Sequence, residues 1–206
     1  FVGRNGNEYR LYYSGGDHEK HQCICLATTP VKEPFQFKRH GVILDLGPKG
    51  NFDGHWCVLP CVHKFGNRWH LYYSGHEGSE MGLQSFPGIG LAVSEDGIHF
   101  KRLSNDPVVT GNMTREFPKN RGVAGGGTIL EDKQADGSIR YRMYYTLAVG
   151  TKNKDVRIDQ EKHCAVCHSA DGITWIDHRI ILSPRRALAK EDIAVAAPFV
   201  WQDGAL

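Results

Sequence analysis

The chain has 206 residues, enough for one or two domains with a buried core. Its 25 Lys and Arg nearly balance 23 Asp and Glu, leaving a net charge of +2. With no basic stripe and no RNA-binding aromatic signature, no nucleic-acid partner is expected. No apolar run approaches the roughly 18–20 residues of a bilayer span, so no membrane partner is expected either.

The 24 glycines and the frequent Tyr, Val, Ile and Thr favour an all-β fold, and only Arg185–Ala194 suits a helical turn. Six cysteines form three local pairs: Cys23/Cys25, Cys57/Cys61 and Cys164/Cys167. The last pair has Cys-x-x-Cys spacing, but zinc needs four converging ligands and the pairs lie in separate strand-like runs. They read as reduced core cysteines, which lean towards an intracellular setting, with a disulfide or a metal pair as the alternatives. The first residue is Phe rather than Met and no signal peptide is visible, so a preceding stretch is expected and the compartment stays open.

From the first residue, FVGRNGNEYRLYYSGG aligns with CVHKFGNRWHLYYSGH (Cys61–His76) when Tyr12-Tyr13 is set on Tyr72-Tyr73. Phe1 then falls on Cys61, in mid-strand. His21–Thr29 and Phe35–Gly41 follow as third and fourth strands. Asn51–Val109 is a full repeat: an acidic turn at Asp53, an apolar strand around Val58–Val62, a Gly-Asn turn, and Trp69–Ser74 with an alternation of period two. GIGLAVSEDGIHFKRL (Gly88–Leu103) completes it as two strands joined at Asp96-Gly97. Asn120–Leu182 runs through the same order, with Ser169–Trp175 matching Ser94–Phe100. Ala194–Leu206 matches a first strand again.

The tyrosine pairs at 12/13, 72/73 and 144/145 lie 60 and 72 residues apart. Such spacing predicts a β-propeller, with blades at about 1–50, 51–119 and 120–185 and the first strand of a further blade in 186–206. That makes about three blade equivalents, whereas propellers usually close with about four to eight. The expectation is therefore part of a longer ring. Closure of the first blade by the last strand, and an oligomer in which two chains pair, are the alternatives.

YRLYYSG, WHLYYSG and YRMYYTL, each followed by a strand such as GIGLAVSEDGIHFKR, resemble the five-bladed β-propeller superfamily of arabinanase, levansucrase and invertase. That superfamily includes glycoside hydrolase families 32, 43, 68 and 130. The resemblance covers nearly all of the chain; it is specific for architecture and weak for substrate. It implies a glycosidase acting on an oligo- or polysaccharide, with a carboxylate pair at the channel mouth. The alternative is a non-catalytic carbohydrate- or protein-binding propeller. No cofactor is implied; a channel calcium ion is conceivable, but the sequence offers no clear acidic cage. The Ser-x-Asp-Gly-Ile-x-aromatic motif differs from the sialidase Ser-x-Asp-x-Gly-x-x-Trp box.

In a propeller blade the innermost strand comes first, so the turn into strand one and the turn from strand two to three share one face. Asp53, His55 and Trp56 enter strand one of the second blade, and His76 and Glu77 follow its strand two. Asp17 and His18 follow strand two of the first blade. Arg121 enters the third blade; Glu191 and Asp192 enter the last. Glycoside hydrolysis needs two carboxyl groups flanking the scissile bond. Asp53 is the expected base or nucleophile and Glu191 the expected general acid. His55, His76, Glu77, Arg121 and Asp192 are expected to bind sugar, and Trp56 to stack on it. One departure matters: where families 32 and 43 set carboxylates next to a first-strand proline, this chain has Leu59-Pro60, Gly126-Gly127 and Ala197-Pro198. Asp96 and Asp171 read as turn residues, the tyrosine pairs as packing, and Gly125–Gly127 as close backbone packing rather than phosphate binding.

Overall fold

A computed structural model describes residues 2–19, 21–78, 87–114, 121–124, 127–150, 160–184 and 194–202; the side chains at 121–124, 150 and 160 lie outside that description. The first blade is β1 (Val2–Asn5), β2 (Glu8–Gly16), β3 (Gln22–Pro30) and β4 (Lys38–Leu44). The second is β5 (Trp56–Phe65), β6 (Arg68–His76) and β7 (Gly88–Ser94), whose outer edge is shared by β8 (Lys101–Arg102) and β9 (Val109–Thr110). The third has a split first strand, β10 (Arg121–Ala124) and β11 (Ile129–Lys133), then β12 (Ile139–Gly150), β13 (Gln160–Ser169) and β14 (Ile176–Leu182). Neighbours within each blade are antiparallel. The fold is an all-β propeller with three blades described. The stretch expected to favour a helical turn lies, at 185–193, outside the described residues.

Alternation along strand two explains the tyrosine pairs. Tyr12 and Tyr72, first of their pairs, point forward to the next blade, and Tyr73 and Tyr145, second of theirs, point back. Tyr12 joins the core between blades one and two, with Ile24, Leu26, Phe52, Leu71, Tyr73 and Phe100. Tyr72 joins the core between blades two and three, with Ile89, Leu91, Met143, Tyr145, Leu147 and Trp175. Each such side chain contributes about 1.5–3 kcal/mol on burial, so the two inter-blade cores hold the blades together.

The matching Ser-x-Asp-Gly stretches fold alike. Ser94 Oγ accepts the amides of Asp96 (3.2 Å) and Gly97 (2.9 Å), while Asp96 Oδ1 accepts those of Ile98 (2.8 Å) and His99 (2.9 Å). Ser169 and Asp171 repeat this with Gly172, Ile173 and Thr174. Backbone donors hold the Asp96 carboxyl well below its ordinary pKa, so both aspartates are turn residues, as expected. Gly97 and Gly172 have φ of 73° and 71°, and a Cβ at either would lie 2.5 Å from Arg10 or Phe65. Gly127 has another reason: a Cβ there would fall on the Tyr144 carbonyl oxygen, while Tyr144 donates its amide to Thr128 at 2.9 Å. That is the close backbone packing expected at Gly127; Gly125 and Gly126 lie outside the described residues.

Blades join through a repeated device. Gln22 of β3 makes a parallel bridge to Trp56 of β5, and Lys162 of β13 makes one to Ala194. Leu59 donates its amide to Ser14 Oγ (3.2 Å), and Ala197 donates to Thr146 Oγ1 (2.9 Å). Leu59 and Ala197 share a left-handed backbone, φ 56° and 54°, just before a proline. Residues 194–202 thus dock on the third blade as β5 docks on the first.

Candidate functional site at the channel mouth

Antiparallel pairing brings three loop ends to one side. Trp56 at the start of β5 faces His76 at the end of β6, the β2–β3 turn ends beside them at Gln22, and Arg121 starts β10 opposite Val149. Here imidazoles gather. The His55 ring lies 5.1 Å from His21 and 6.4 Å from His76, and Trp56 lies 5.9 Å from His55 and 4.8 Å from His76. The His55 amide donates to the His76 carbonyl at 2.9 Å, which fixes the spacing of the two rings. Asp17 holds His21 twice, accepting its amide (2.9 Å) and facing Nδ1 (3.1 Å). His76 Nδ1 accepts the Gly78 amide at 2.9 Å, leaving Nε2 as the donor nitrogen. His55 Nε2 is buried with no hydrogen-bond partner among the described residues. Glu77 is exposed beside this group.

Trp56 is only 6 % exposed and packs against the rings of His55 and His76 rather than presenting an open face; His76 is itself wholly buried. Asp53 is fully buried. The preceding loop turns Phe52 and Asp53 inward, where Phe52 stacks on Tyr73 at 6.0 Å. Asp53 Oδ2 accepts Arg102 Nε (2.7 Å) and the Tyr73 hydroxyl (2.8 Å). Asp53 Oδ1 faces Gly47 and has no hydrogen-bond partner among the described residues. Arg102 also donates to the Asp45 carbonyl. Burial of the guanidinium, the largest single effect, works against its charge, but the hydrogen bond to Asp53 together with the charges of Tyr73, Asp53 and Cys57 outweighs it and the pKa is raised. Burial, reinforced by the Asp53 charge, pushes the Cys57 thiol up to about 12. The six cysteines are free thiols, and five are buried.

The expected site residues therefore divide. His55, Trp56, His76 and Glu77 converge at the mouth. Asp53 lies beneath them in an ion pair. The Arg121 backbone is at the mouth, its side chain outside the description, and Glu191 and Asp192 are outside the described residues. Sequence reasoning did not select two residues that matter. His21 was hidden by its distance from the tyrosine motif, though Asp17 four residues earlier is the signal for it. Arg102 sits on a short outer strand with no motif to mark it. Among the described residues, no group of three or more His, Cys, Asp or Glu is placed to hold a metal ion. Two open cavities, about 540 and 710 Å³, lie at the opposite end, beside the β1–β2 and β11–β12 turns. Their walls carry no residue of the mouth.

No protein-family model and no curated protein matches the chain. Solved structures do. An α-L-arabinofuranosidase of glycoside hydrolase family 43 from Clostridium thermocellum is 19 % identical, with a TM-score of 0.59 over 89 % of this chain and 55 % of that one. A structure from the family 130 mannoside phosphorylases and hydrolases is 12 % identical, with a TM-score of 0.61 over 96 % and 56 %. An endo-arabinase from Bacteroides thetaiotaomicron is 10 % identical, with a TM-score of 0.57 over 89 % and 55 %. The chain spans just over half the length of these structures. The chain has the fold of the β-propeller glycoside hydrolases, families 43 and 130 among them.

Proposed function

We propose that the chain is the mouth-bearing part of a carbohydrate-active enzyme that cleaves or transfers at glycosidic bonds of an oligo- or polysaccharide, within a ring of five blades. The observation that carries this reading is the convergence of His21, His55 and His76 at the mouth, with His55 Nε2 buried and without a hydrogen-bond partner among the described residues. A buried polar atom without a partner costs about 1–3 kcal/mol, and a sugar hydroxyl would satisfy it. Arg121 and Asp192 complete the sugar contacts, and His76, wholly buried, holds the His55 backbone in place through its carbonyl. Glu191 is the general acid of this proposal. Glu77, exposed at the mouth and in no ion pair among the described residues, supplies the second carboxylate. Asp53 enters as a positioning residue rather than the base: sealed against Arg102 and Tyr73, it fixes the loop that presents His55.

The test is sugar release from arabinan, xylan and β-1,2-mannan, with binding followed separately by calorimetry. Glu191→Gln and Glu77→Gln should lose turnover and keep binding, while His55→Ala should weaken binding about tenfold. A second reading, a propeller that binds sugar without turnover, is favoured by Leu59. It stands 43 % exposed next to Pro60, where the families this chain resembles carry a carboxylate. Binding without turnover by the wild type would select that reading.

A further inference from the structure

His21 closes the short β2–β3 turn. The Asp17 amide donates to the His21 carbonyl at 3.1 Å, and Gly16 pairs with Gln22 across the two strands. Asp17 fixes the residue twice more. Its Oδ1 accepts the His21 amide (2.9 Å), and its Oδ2 faces the ring at Nδ1 (3.1 Å). Glu19 Oε2 lies 3.6 Å from the same nitrogen. The parallel bridge of Gln22 to Trp56 sets His21 beside His55, whose ring it meets edge to face at 5.1 Å. The imidazole is thus held from three directions, while 29 % of the side chain still meets water.

This geometry decides which ring nitrogen carries hydrogen. An ionised carboxylate only accepts, so the nitrogen facing it must donate. Desolvation works against the Asp17 charge, but the hydrogen bonds from the His21 amide and ring, the ring's charge and the Glu19 amide outweigh it, and the Asp17 pKa is lowered. Asp17 is therefore ionised near neutral pH and His21 carries hydrogen on Nδ1. In the neutral ring Nε2 then holds a lone pair, with no protein donor to it among the described residues. The carboxylate behind the ring also raises the basicity of that far nitrogen. Such a pair, carboxylate behind and imidazole in front, fixes both the tautomer and the orientation of the ring.

We infer that His21 Nε2 accepts a hydrogen bond from a sugar hydroxyl at the mouth, with Asp17 as the positioning residue that keeps this nitrogen an acceptor. The inference rests on the carbohydrate reading of the site and adds a selectivity to it. His55 Nε2, buried on the neighbouring ring, takes one hydroxyl. His21 requires a second that can donate. Two imidazoles with ring centres 5.1 Å apart suit neighbouring hydroxyls of a single sugar unit. The substrate class is a sugar with both of these hydroxyls free. A sugar etherified at the second leaves the His21 lone pair unmet.

The test uses the whole chain labelled with nitrogen-15 at histidine, at pH 8. Long-range proton–nitrogen NMR reads the tautomer of each ring, and the His21 signals are those lost in His21→Phe. The expected result is hydrogen on Nδ1 in the wild type, shifting towards Nε2 in Asp17→Ala, the tautomer a free imidazole prefers. A purely structural turn aspartate would not move that signature. Oligosaccharides of arabinan, xylan and β-1,2-mannan are then titrated by calorimetry. Asp17→Ala and His21→Phe should each weaken the best wild-type ligand about tenfold, and the double variant should lose little more than either alone. Hydrogen on Nε2 in the wild type, or a tautomer unmoved by Asp17→Ala, overturns the inference. So does undiminished binding by both variants, which leaves the carbohydrate reading intact. A wild type that holds the expected tautomer but binds none of the three sugars refutes that reading, and the inference with it.

Discussion

Changing Asp53 to Asn keeps the shape of the side chain and removes its charge. Arg102 then keeps a positive charge in a setting where only 19 % of its side chain meets water and its Nε has lost a carboxylate 2.7 Å away. Removing one partner of a buried ion pair costs about 3–5 kcal/mol. The amide oxygen can still accept one bond from Arg102 or Tyr73, which places the expected loss at the lower end, about 3 kcal/mol. In a chain of this size about 1 kcal/mol shifts the melting temperature by about 2–4 °C, so Asp53→Asn should melt about 6–12 °C early. Urea unfolding monitored by tryptophan fluorescence measures the loss directly. The double variant Asp53→Leu with Arg102→Met should recover most of it, because two matched apolar groups leave no buried charge behind. A mouth carboxylate would behave differently, its Asn variant staying within about 0.5 kcal/mol of wild type. A loss below about 1 kcal/mol, or additive single variants, would refute the assignment of Asp53 as a buried anchor.

Tyr72→Phe should cost about 1–2 kcal/mol in urea, since the Gly172 carbonyl loses its donor between two blades. Gly172→Ala should cost more than Gly137→Ala. Both have positive φ, but only at Gly172 would the new methyl meet a ring, 2.5 Å from Phe65. Stability should fall with acid before the carboxylates titrate. Burial, the leading cause in each case, lowers the pKa of His63, His70, His163, His168 and His178. Below the ordinary histidine value of about 6.5 the unfolded chain then binds more protons than the folded one. The urea midpoint should therefore drop from pH 7.5 to pH 5.5, and a rise would contradict this sign. A disulfide-exchange reagent at pH 8 should find the native thiols unreactive and release all six on unfolding, because Cys57 and Cys61 are held at about 12 chiefly by burial.

The repeat was legible in the chain because blade geometry is written in local chemistry. A period of two along Trp69–Ser74, Gly at left-handed turns and Asp accepting its own following amides need only neighbouring residues to be recognised. The side of the propeller on which His55 and His76 meet also followed, since strand order alone decides which loops share an end. What strand order could not decide was depth. Asp53 and His55 are two residues apart, yet one is sealed between blades and the other lines the mouth. The inward turn of the loop at Phe52 separates them, and the cation that captures Asp53 comes from Arg102, 49 residues on. Likewise Trp56 and the tyrosine pairs were readable as aromatic, but only packing showed that Trp56 lies buried against His55 and His76 and that Tyr12 and Tyr72 reach forward to a turn on the next blade. Pairwise contacts between distant segments, set by how blades stack, leave no trace in either segment's own composition.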